Sequence, residues 1–443
     1  MNEPANKAAT SAALRSFEAS WRARPADGLA AMRGEAMQRF LALGLPTPRD
    51  ESWRYTNLRA MAAMSFIDAP RIANGAVTAA PGESWIAGAG MSAIRILNGY
   101  PQLGAGADSG LAHVAVRSLR AVAESEPKVI AERHTAAAES EEGRWTLLNR
   151  ALFVDGLHLR ITGRVAGPIL IVHAANCPDG SHAVHSRLIV ETGPGAAATI
   201  IEHHLGAGGG TLLANRATEI DLAPGASIEH YRVFSGDERT TQFDSVDVRH
   251  GADSRCRQFT VVLGGALVRT DLRAHLGGIG AQHDSYALLA GRGARQIDCV
   301  NTIVHAAPRT TSNQTARAIG AGSSRVVFNS KVIVERGAAG AQSQQSSRGL
   351  LLSPNAELDT RPQLQIHEDD VKCAHGATTG RLDPDMLFYL LSRGIERSAA
   401  QSLLIYAFLD DVLTGIASMP TRRAIEDALV EELPDADLLR SFR

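Results

Sequence analysis

The sequence predicts a mainly β protein built around a parallel β-solenoid, with helices before and after it. From about Leu152 onward, short segments in which apolar and polar residues alternate recur roughly every fifteen residues, and a period of two is typical of strands. Turn residues (Gly, Pro, Ala, Asp) separate these segments, and no connection has the length of the helix that joins strands in a βαβ unit. From Asp383 the apolar period changes to that of a helix.

Alternation over so long a segment is compatible with three architectures: a sandwich, a propeller and a solenoid. The nearly even strand spacing and the small turn residues favour a solenoid, in which each coil covers the next. No repeated motif with fixed residues accompanies the alternation, so the pattern alone leaves the other two architectures open.

The composition is that of a globular chain with a substantial core. Of the 443 residues, 44 % are hydrophobic and 21 % are charged, which excludes a disordered chain. The net charge of −2 comes without a basic block, so we expect no nucleic-acid partner. The first residues lack the layout of a signal peptide, and no segment approaches the roughly 18 uninterrupted apolar residues of a membrane span.

The cysteines are dispersed and form neither a disulfide framework nor a CxxC pair. They are Cys177, Cys256, Cys299 and Cys373. Such usage fits a reducing compartment better than a secreted domain. We therefore expect a cytoplasmic protein without membrane association.

The first 63 residues are predicted to be helical, because apolar residues such as Phe17 and Trp21 recur at helical spacing. Gly44 supplies a helix end. The connector Gly44–Leu58 follows, with two prolines and two aromatic residues. We interpret Trp53 in this connector as a structural anchor that lies in a crevice.

The next segment predicts a strand at Ile94–Leu97 and helices at Leu111–Ala123 and Glu141–Ala151. The chain then divides into four regions: an N-terminal helical region with its connector (1–63), a mixed α/β region (64–151), the β-solenoid core (152–382) and a C-terminal helical region (383–443).

Three helices are predicted in the C-terminal region. The first begins at Asp383-Pro384, an acidic cap followed by proline at the first helical position. The second spans about Ser398–Leu413 and the third about Thr421–Leu433. Their many apolar positions have nothing downstream to cover them. Either a partner protein docks there, or the helices pack back on the end of the solenoid as a cap.

Several familiar catalytic motifs are missing from the sequence. It contains no phosphate-binding GxxxxGK[ST] loop, no HExxH and no GxSxG. Two weaker possibilities remain. Cys177 with His182 and His185 has the composition of a zinc site. The pair Glu219 and Asp221 resembles the acidic pairs of polysaccharide-cleaving solenoids, which makes a carbohydrate-active enzyme the alternative function.

The stretch His367–Arg381, HEDDVKCAHGATTGR, concentrates reactive side chains. If 367–375 is extended, Cys373 and His375 lie on one face together with His367, Asp369 and Val371. A thiol and an imidazole two residues apart can contact the same ion or sulfur species, but a tetrahedral site needs further ligands from other segments or chains. The alternative is that Cys373 is a small buried hydrophobe and His375 a surface histidine.

Two motifs in this part of the chain resemble the SufB/SufD family of iron–sulfur cluster assembly scaffolds. They are DDVKCAHGAT, from Asp369 to Thr378, and LFYLLSRGI, from Leu387 to Ile395. The resemblance runs from about Val326 to Leu413, and PTPRDESWRYTNL near the N-terminus is similar to the connector of the SufD branch. AELDTRPQLQI stands where SufB proteins carry a cysteine-bearing segment, which also favours the SufD branch.

The resemblance implies a right-handed parallel β-helix and a non-catalytic scaffold subunit. It implies a heterodimer with a SufB-like paralogue through the β-helix ends, or a homodimer of the isolated chain. It also implies that a transient iron–sulfur cluster forms at the SufB interface beside His375 and Cys373, with no cofactor bound stably by this chain alone. The ATPase SufC, which binds the ATP, would dock on the C-terminal helices at Leu387, Phe388, Tyr389, Arg393, Gly394 and Ile395.

Overall fold

The computed structural model describes residues 11–72, 93–103, 112–133, 143–207 and 209–431. Strands outnumber helices, with 46 % of the residues in strands against 24 % in helices. The core is a parallel β-solenoid of about seven turns with helices at both ends, which confirms the predicted fold class. Among the described residues, no helix combines the length and the apolar character needed to span a membrane.

Among the described residues, twenty strands form two sheets of ten. The strands are β1 (Ile67–Asp68), β2 (Ala93–Leu97), β3 (Tyr100–Pro101), β4 (Val114–Ser118), β5 (Asp155–Ile161), β6 (Arg164–Ala175), β7 (Ser181–Thr192), β8 (Ala197–Ala207), β9 (Thr211–Leu222), β10 (Ser227–Ser235), β11 (Thr240–His250), β12 (Arg255–Val262), β13 (Leu267–Leu276), β14 (Gln282–Gly291), β15 (Gln296–His305), β16 (Thr311–Gly320), β17 (Arg325–Val334), β18 (Ala341–Leu351), β19 (Glu357–Ile366) and β20 (Val371–Gly380).

Consecutive strands of the core alternate between the two sheets. One sheet has the order β19-β17-β15-β13-β11-β9-β7-β5-β4, with β1 beside β7, and the other has the order β20-β18-β16-β14-β12-β10-β8-β6-β2-β3. From β5 to β20, each strand pairs in parallel with the strand two places further along the chain. Two successive strands therefore form one coil, which excludes the sandwich and the propeller.

The turns between coils require backbone conformations that glycine adopts easily. Gly195 and Gly225 have φ values of 68° and 71° and lie at equivalent turns of neighbouring coils. The Gly195 amide donates to the Pro224 carbonyl, and the Gly225 amide donates to the Ala252 carbonyl of the next turn. Small turn residues thus allow the coils to stack at strand spacing.

In the part of the chain that the structure describes, the α-helices before the core are α1 (Ala12–Arg22), α2 (Ala30–Leu43), α3 (Arg59–Ala62), α4 (Leu119–Ser125), α5 (Lys128–Ala131) and α6 (Arg144–Leu152). A short 3-10 helix, Glu51–Trp53, lies between α2 and α3. The predicted helical region starts within residues 1–10, which lie outside the described part. Of the predicted helix Leu111–Ala123, Leu111 lies outside the described residues and Leu119–Ala123 is confirmed as part of α4. The prediction is wrong over Val114–Ser118, which is strand β4. Its antiparallel pairing with β5 overrides the local pattern.

The N-terminal helices pack on the β7–β13 side of the solenoid through aromatic side chains. Trp145 stacks on Phe243 with ring centroids 3.6 Å apart. Trp53 is 1 % exposed, and the guanidinium of Arg269 lies 3.7 Å from its ring centroid. The interpretation of Trp53 as an anchor is confirmed.

The C-terminal region contains α7 (Pro384–Ser392), α8 (Arg397–Leu413) and α9 (Met419–Glu431). The apolar faces of α8 and α9, with Leu409 and Leu429, pack on the outer face of the even-numbered sheet, where Tyr231 and Phe259 lie. The structure thus shows α8 and α9 packed back on a face of the solenoid rather than on its end. No residue of α7 is buried.

Candidate functional site

The solenoid ends with a coil whose outer edges no other described strand pairs with. We call it the terminal coil; it consists of β19, the turn 367–370 and β20. These two strands are the last members of their sheets, and each pairs on one edge only, with β17 and β18 respectively. Every side chain of β19 and β20 is half-buried or exposed. No described strand pairs with their outer edges, so the coil exposes unpaired backbone groups of both sheets.

Strand β20 brings Cys373 and His375 to one face. Val371 and Cys373 pack against the interior residues Val332 and Val334, so this face of β20 points into the solenoid. His375 continues the same alternation and lies exposed at the open end. The expected extension back to residue 367 is wrong, because His367 and Asp369 belong to the turn before the strand.

The two side chains leave their potential ligand atoms available. Burial raises the pKa of the half-buried Cys373 thiol, so it is protonated at neutral pH and binds a metal only with loss of its proton. His375 is exposed, and no hydrogen bond or ion pair of the described residues engages its ring. Two ligands do not complete a site, and the group of three potential ligands found among the described residues includes neither of them. Further ligands are therefore needed from outside the described part of the chain.

A second cluster of potential ligands lies deep in the middle of the solenoid. His173, Glu202 and His204 place ligand atoms within 4.8 Å of one another. Glu202 is 1 % exposed and accepts hydrogen bonds from His173 Nε2 at 2.7 Å, His230 Nε2 at 2.7 Å and Thr218 Oγ1 at 3.1 Å. Its carboxylate is therefore fully occupied by protein donors.

Charge balance also argues against a metal in this cluster. The buried acids Glu202 and Asp244 lie beside the buried guanidinium groups of Arg216 and Arg232. Two negative and two positive charges already compensate each other, so a dication would add charge that nothing neutralises. We interpret the cluster as part of the folded core. Sequence reasoning missed it, although its members recur about one coil apart along the chain.

The predicted zinc ligands do not form a site. Cys177, His182 and His185 are all buried, and the group of three potential ligands found among the described residues contains none of them. Burial lowers the pKa of His185 to about 3, and its Nδ1 lies 3.3 Å from the amide of Asn215. This histidine belongs to the packing between the helices and the solenoid.

The acidic pair is occupied by arginines. Glu219 is 2 % exposed and lies 2.7 Å from Arg187 and 2.9 Å from Arg133, while Asp221 pairs with Arg133 and Arg249. Burial raises the pKa of Glu219, but the arginines outweigh it and lower the pKa to about 2. A glycosidase needs one carboxyl that stays protonated, so this pair does not support the carbohydrate alternative.

The predicted docking residues lie on and just after α7. The helix begins as predicted: the Asp383 carboxylate accepts from the amide of Asp385 at 2.8 Å and precedes Pro384. Phe388 and Tyr389 are 71 % and 57 % exposed. The other predicted positions are Leu387 and Ile395, both half-buried, and Arg393 and Gly394, both exposed. Large apolar side chains displayed together are typical of an interface.

Two family models match most of the chain. A family model described as the SufBD core domain of the SUF system for FeS cluster assembly matches residues 173–408, more than half of the chain. A model for the N-terminal region of SufBD proteins matches residues 14–167.

Individual proteins that are similar to this chain are members of the same family. The iron–sulfur cluster assembly protein SufD of Escherichia coli K12 is 26 % identical over 405 residues, which cover 90 % of this chain and 92 % of the relative. A SufBD family protein of Synechocystis is 28 % identical over 85 % of this chain and 84 % of its own. SufD of Bacillus subtilis is 27 % identical over 62 % of this chain and 64 % of its own. The chain therefore belongs to the SufBD family of iron–sulfur cluster assembly proteins, within which it is SufD-like.

Proposed function

We propose that this protein is a non-catalytic scaffold subunit that pairs with a SufB-like paralogue and docks the ATPase SufC. The observation that carries the proposal is the terminal coil, where His375 is exposed beside Cys373 at the unpaired edge of both sheets. The iron–sulfur cluster assembled by this complex is its product, which is passed on, and not a resident cofactor of the chain. The four free cysteines suit the reducing cytoplasm in which we place it.

The pairing is supported by the unpaired backbone of β19 and β20. Exposed strand edges are a liability that soluble proteins normally cover. A second solenoid end can continue both sheets at once, which would pair these backbone groups and bring residues of a second chain next to His375. A partner subunit is also the natural source of the remaining cluster ligands.

The ligand chemistry suits a cluster that is later transferred. Iron–sulfur clusters favour thiolates, and imidazole can take the place of a thiolate. A site that combines one imidazole with a thiol of raised pKa holds a cluster less firmly than four thiolates would. Because Cys373 must lose a proton to bind, we expect cluster retention to increase with pH.

SufC docking is supported by the contrast between α7 and the two helices that follow. Helix α8 is held to the solenoid by its apolar face and by the ion pair between Arg317 and Asp411 at 2.7 Å. Arg257 adds a hydrogen bond to the Gly415 carbonyl after α8. A protein bound to α7 is thus connected to the solenoid through the following helix α8, so ATP-driven movement of SufC can be transmitted along these contacts.

The role of His375 is tested in the complex of this chain with its SufB-like and SufC partners. His375→Ala is expected to leave the complex intact and to reduce the cluster assembled per complex, measured by iron content and visible absorbance. His367→Ala is the matched control, since His367 is also exposed but lies in the turn. Equal cluster yields from both variants would contradict the assigned role.

The docking surface is tested by the affinity for purified SufC. Phe388→Ser is expected to weaken binding at least tenfold, because exposed aromatic residues at the centre of an interface dominate its affinity. Met419→Ser is the control, since Met419 is 54 % exposed at the start of α9. Unchanged affinity of the Phe388 variant would exclude α7 as the docking helix.

A further inference from the structure

A column of polar side chains lies in the interior of the solenoid directly next to His375. The pairing of β18 with β20 places Gln345 opposite His375, and the pairing of β16 with β18 places Gln314 opposite Gln345. The next member of the column is Ser285 on β14. Neighbouring strands are about 4.8 Å apart, so a glutamine side chain spans the distance to the next residue of the column.

The two glutamines are buried without hydrogen-bond partners. Gln345 is 3 % exposed and Gln314 is 1 % exposed, and in each of them both Nε2 and Oε1 lack a partner. Native interiors leave few buried polar atoms unpaired, so such atoms require an explanation. The neighbours of Gln345 on the same strand, Gln342 and Gln344, are exposed and have access to water.

We propose that Gln345 is a positioning residue for His375. A histidine that ligates a metal through one ring nitrogen normally donates the other N–H to an acceptor, which fixes its tautomer and ring orientation. Gln345 Oε1 is the buried acceptor next to His375 in the column. The proposal rests on the proposed function, because it assumes that His375 contacts the cluster.

The other residues of the column determine which atom donates and which accepts in each hydrogen bond that follows from the His375–Gln345 contact. When Gln345 accepts from His375, its Nε2 donates to Gln314 Oε1, and Gln314 Nε2 can donate to the hydroxyl of Ser285. That hydroxyl is held by Asn301, whose Nδ2 donates to it at 3.1 Å. Four unpaired amide atoms are satisfied by one ordered chain, and the chain carries no charge, so the ring stays neutral as ligation requires.

The proposal makes opposite predictions for stability and for metal binding. Gln345→Met keeps the length of the side chain and removes two unpaired buried polar atoms, so the unfolding midpoint is expected to stay the same or rise. Loss of an outer partner typically weakens metal affinity about 10–100-fold. A purely structural role of Gln345 predicts instead a lower midpoint.

The experiment is a titration of the SufB-paired chain with Co²⁺, read by visible absorbance, with His375→Ala defining the signal that depends on His375. We expect Gln345→Met to raise the dissociation constant about 10–100-fold. Gln345→Glu is expected to restore it, because burial favours the neutral carboxyl, which returns an acceptor oxygen and a donor without adding charge. The exposed control Gln344→Met is expected to change nothing.

Three results would overturn the proposal. If Gln345→Met binds Co²⁺ as the unmodified chain does while His375→Ala loses the signal, Gln345 does not position His375, and the proposed function stands. If Gln345→Met lowers the unfolding midpoint and Gln345→Glu restores nothing, the residue is structural. If His375→Ala retains the full signal, the role of His375 in the proposed function fails, and the inference fails with it.

Discussion

Two regions of the solenoid interior place histidines in very different surroundings. In the middle, His173 and His230 are buried and bound to the carboxylate of Glu202. In the terminal coil, His375 is exposed, and the residue opposite it is the unpaired amide of Gln345. Both regions follow the same alternation of a parallel strand.

In this fold, the groups that stabilise the folded state and the groups available to a ligand lie in separate coils. A buried carboxylate with three donors and balancing arginines has no atom left for a ligand, and it stabilises only the folded state. In the terminal coil, the neutral amide of Gln345 lies opposite the exposed imidazole of His375, and one ring nitrogen remains available to a ligand. The residues of the middle are expected to control unfolding, and those of the terminal coil to control function.

Loss of Glu202 is expected to lower the free energy of unfolding more than any other change considered for these two regions. Glu202→Ala leaves Arg216 and Arg232 with Asp244 as their buried counter-charge and removes the acceptor of two histidines. Breaking a buried ionic network of this kind costs about 3–5 kcal/mol. The free energy of unfolding in guanidinium chloride measures it. His375→Ala is expected to change the same quantity by less than about 0.5 kcal/mol, and similar losses for both variants would remove the distinction between the regions.

The buried histidines are expected to make the free energy of unfolding depend on pH, an effect smaller than the loss of Glu202. Burial lowers the pKa of His283 to about 3 and of His305 to about 4, so both stay neutral in the folded state well below pH 6. In the unfolded chain their pKa is about 6.5, so the unfolded state binds more protons as pH falls. Stability is therefore complete above pH 6.5 and is lost progressively as the pH falls toward the folded values.

Each of these histidines is expected to cost about 2 kcal/mol of stability between pH 7 and pH 5. His283→Gln tests this, since a glutamine does not titrate and one ring nitrogen of His283 has no partner to lose. The variant is expected to show a flatter decline of unfolding free energy from pH 6.5 to pH 5. An unchanged slope would show that His283 is protonated in the folded state.

The regular part of this molecule was predictable from the sequence because strand alternation and turn residues repeat. Asp383 and Pro384 likewise predicted the start of α7, since cap and helix are neighbours in the chain. The side-chain order of β20 was predictable for the same reason. Such local signals need no knowledge of which strands pair.

The interior polar groups were not predictable in this way. Polar residues that alternate with apolar ones normally indicate a solvated face, yet in β10 both faces are covered: His230 and Arg232 point inward, while Tyr231 packs under the C-terminal helices. Glu202 and His230 are 28 residues apart and meet only because of the length of a coil. Gln345 and Gln314 likewise lie next to His375 only because the coils pair in this register. Register between coils, which no single strand encodes, brings these groups together.

Chemical modification of Cys373 is expected to change the free energy of unfolding very little. It also tests whether the side chains of the terminal coil are more accessible to a reagent than those of the middle of the solenoid. Cys177, Cys256 and Cys299 are buried, whereas Cys373 is half-buried. A thiol reagent such as DTNB is expected to label one cysteine per folded chain, and all four in denaturant, while labelling of Cys373 changes the free energy of unfolding by less than about 0.5 kcal/mol.

The rate of this labelling carries further information. Because burial raises the pKa of the Cys373 thiol, the rate is expected to rise steadily from pH 7 to pH 9 as the thiolate fraction grows. Pairing with a SufB-like subunit at the terminal coil would slow the reaction, whereas SufC bound at α7 would leave it unchanged. If Cys373 is labelled equally fast in the isolated chain and in its complex with the SufB-like subunit, the interface lies elsewhere on the solenoid. The predictions for Glu202 and the buried histidines do not depend on this result.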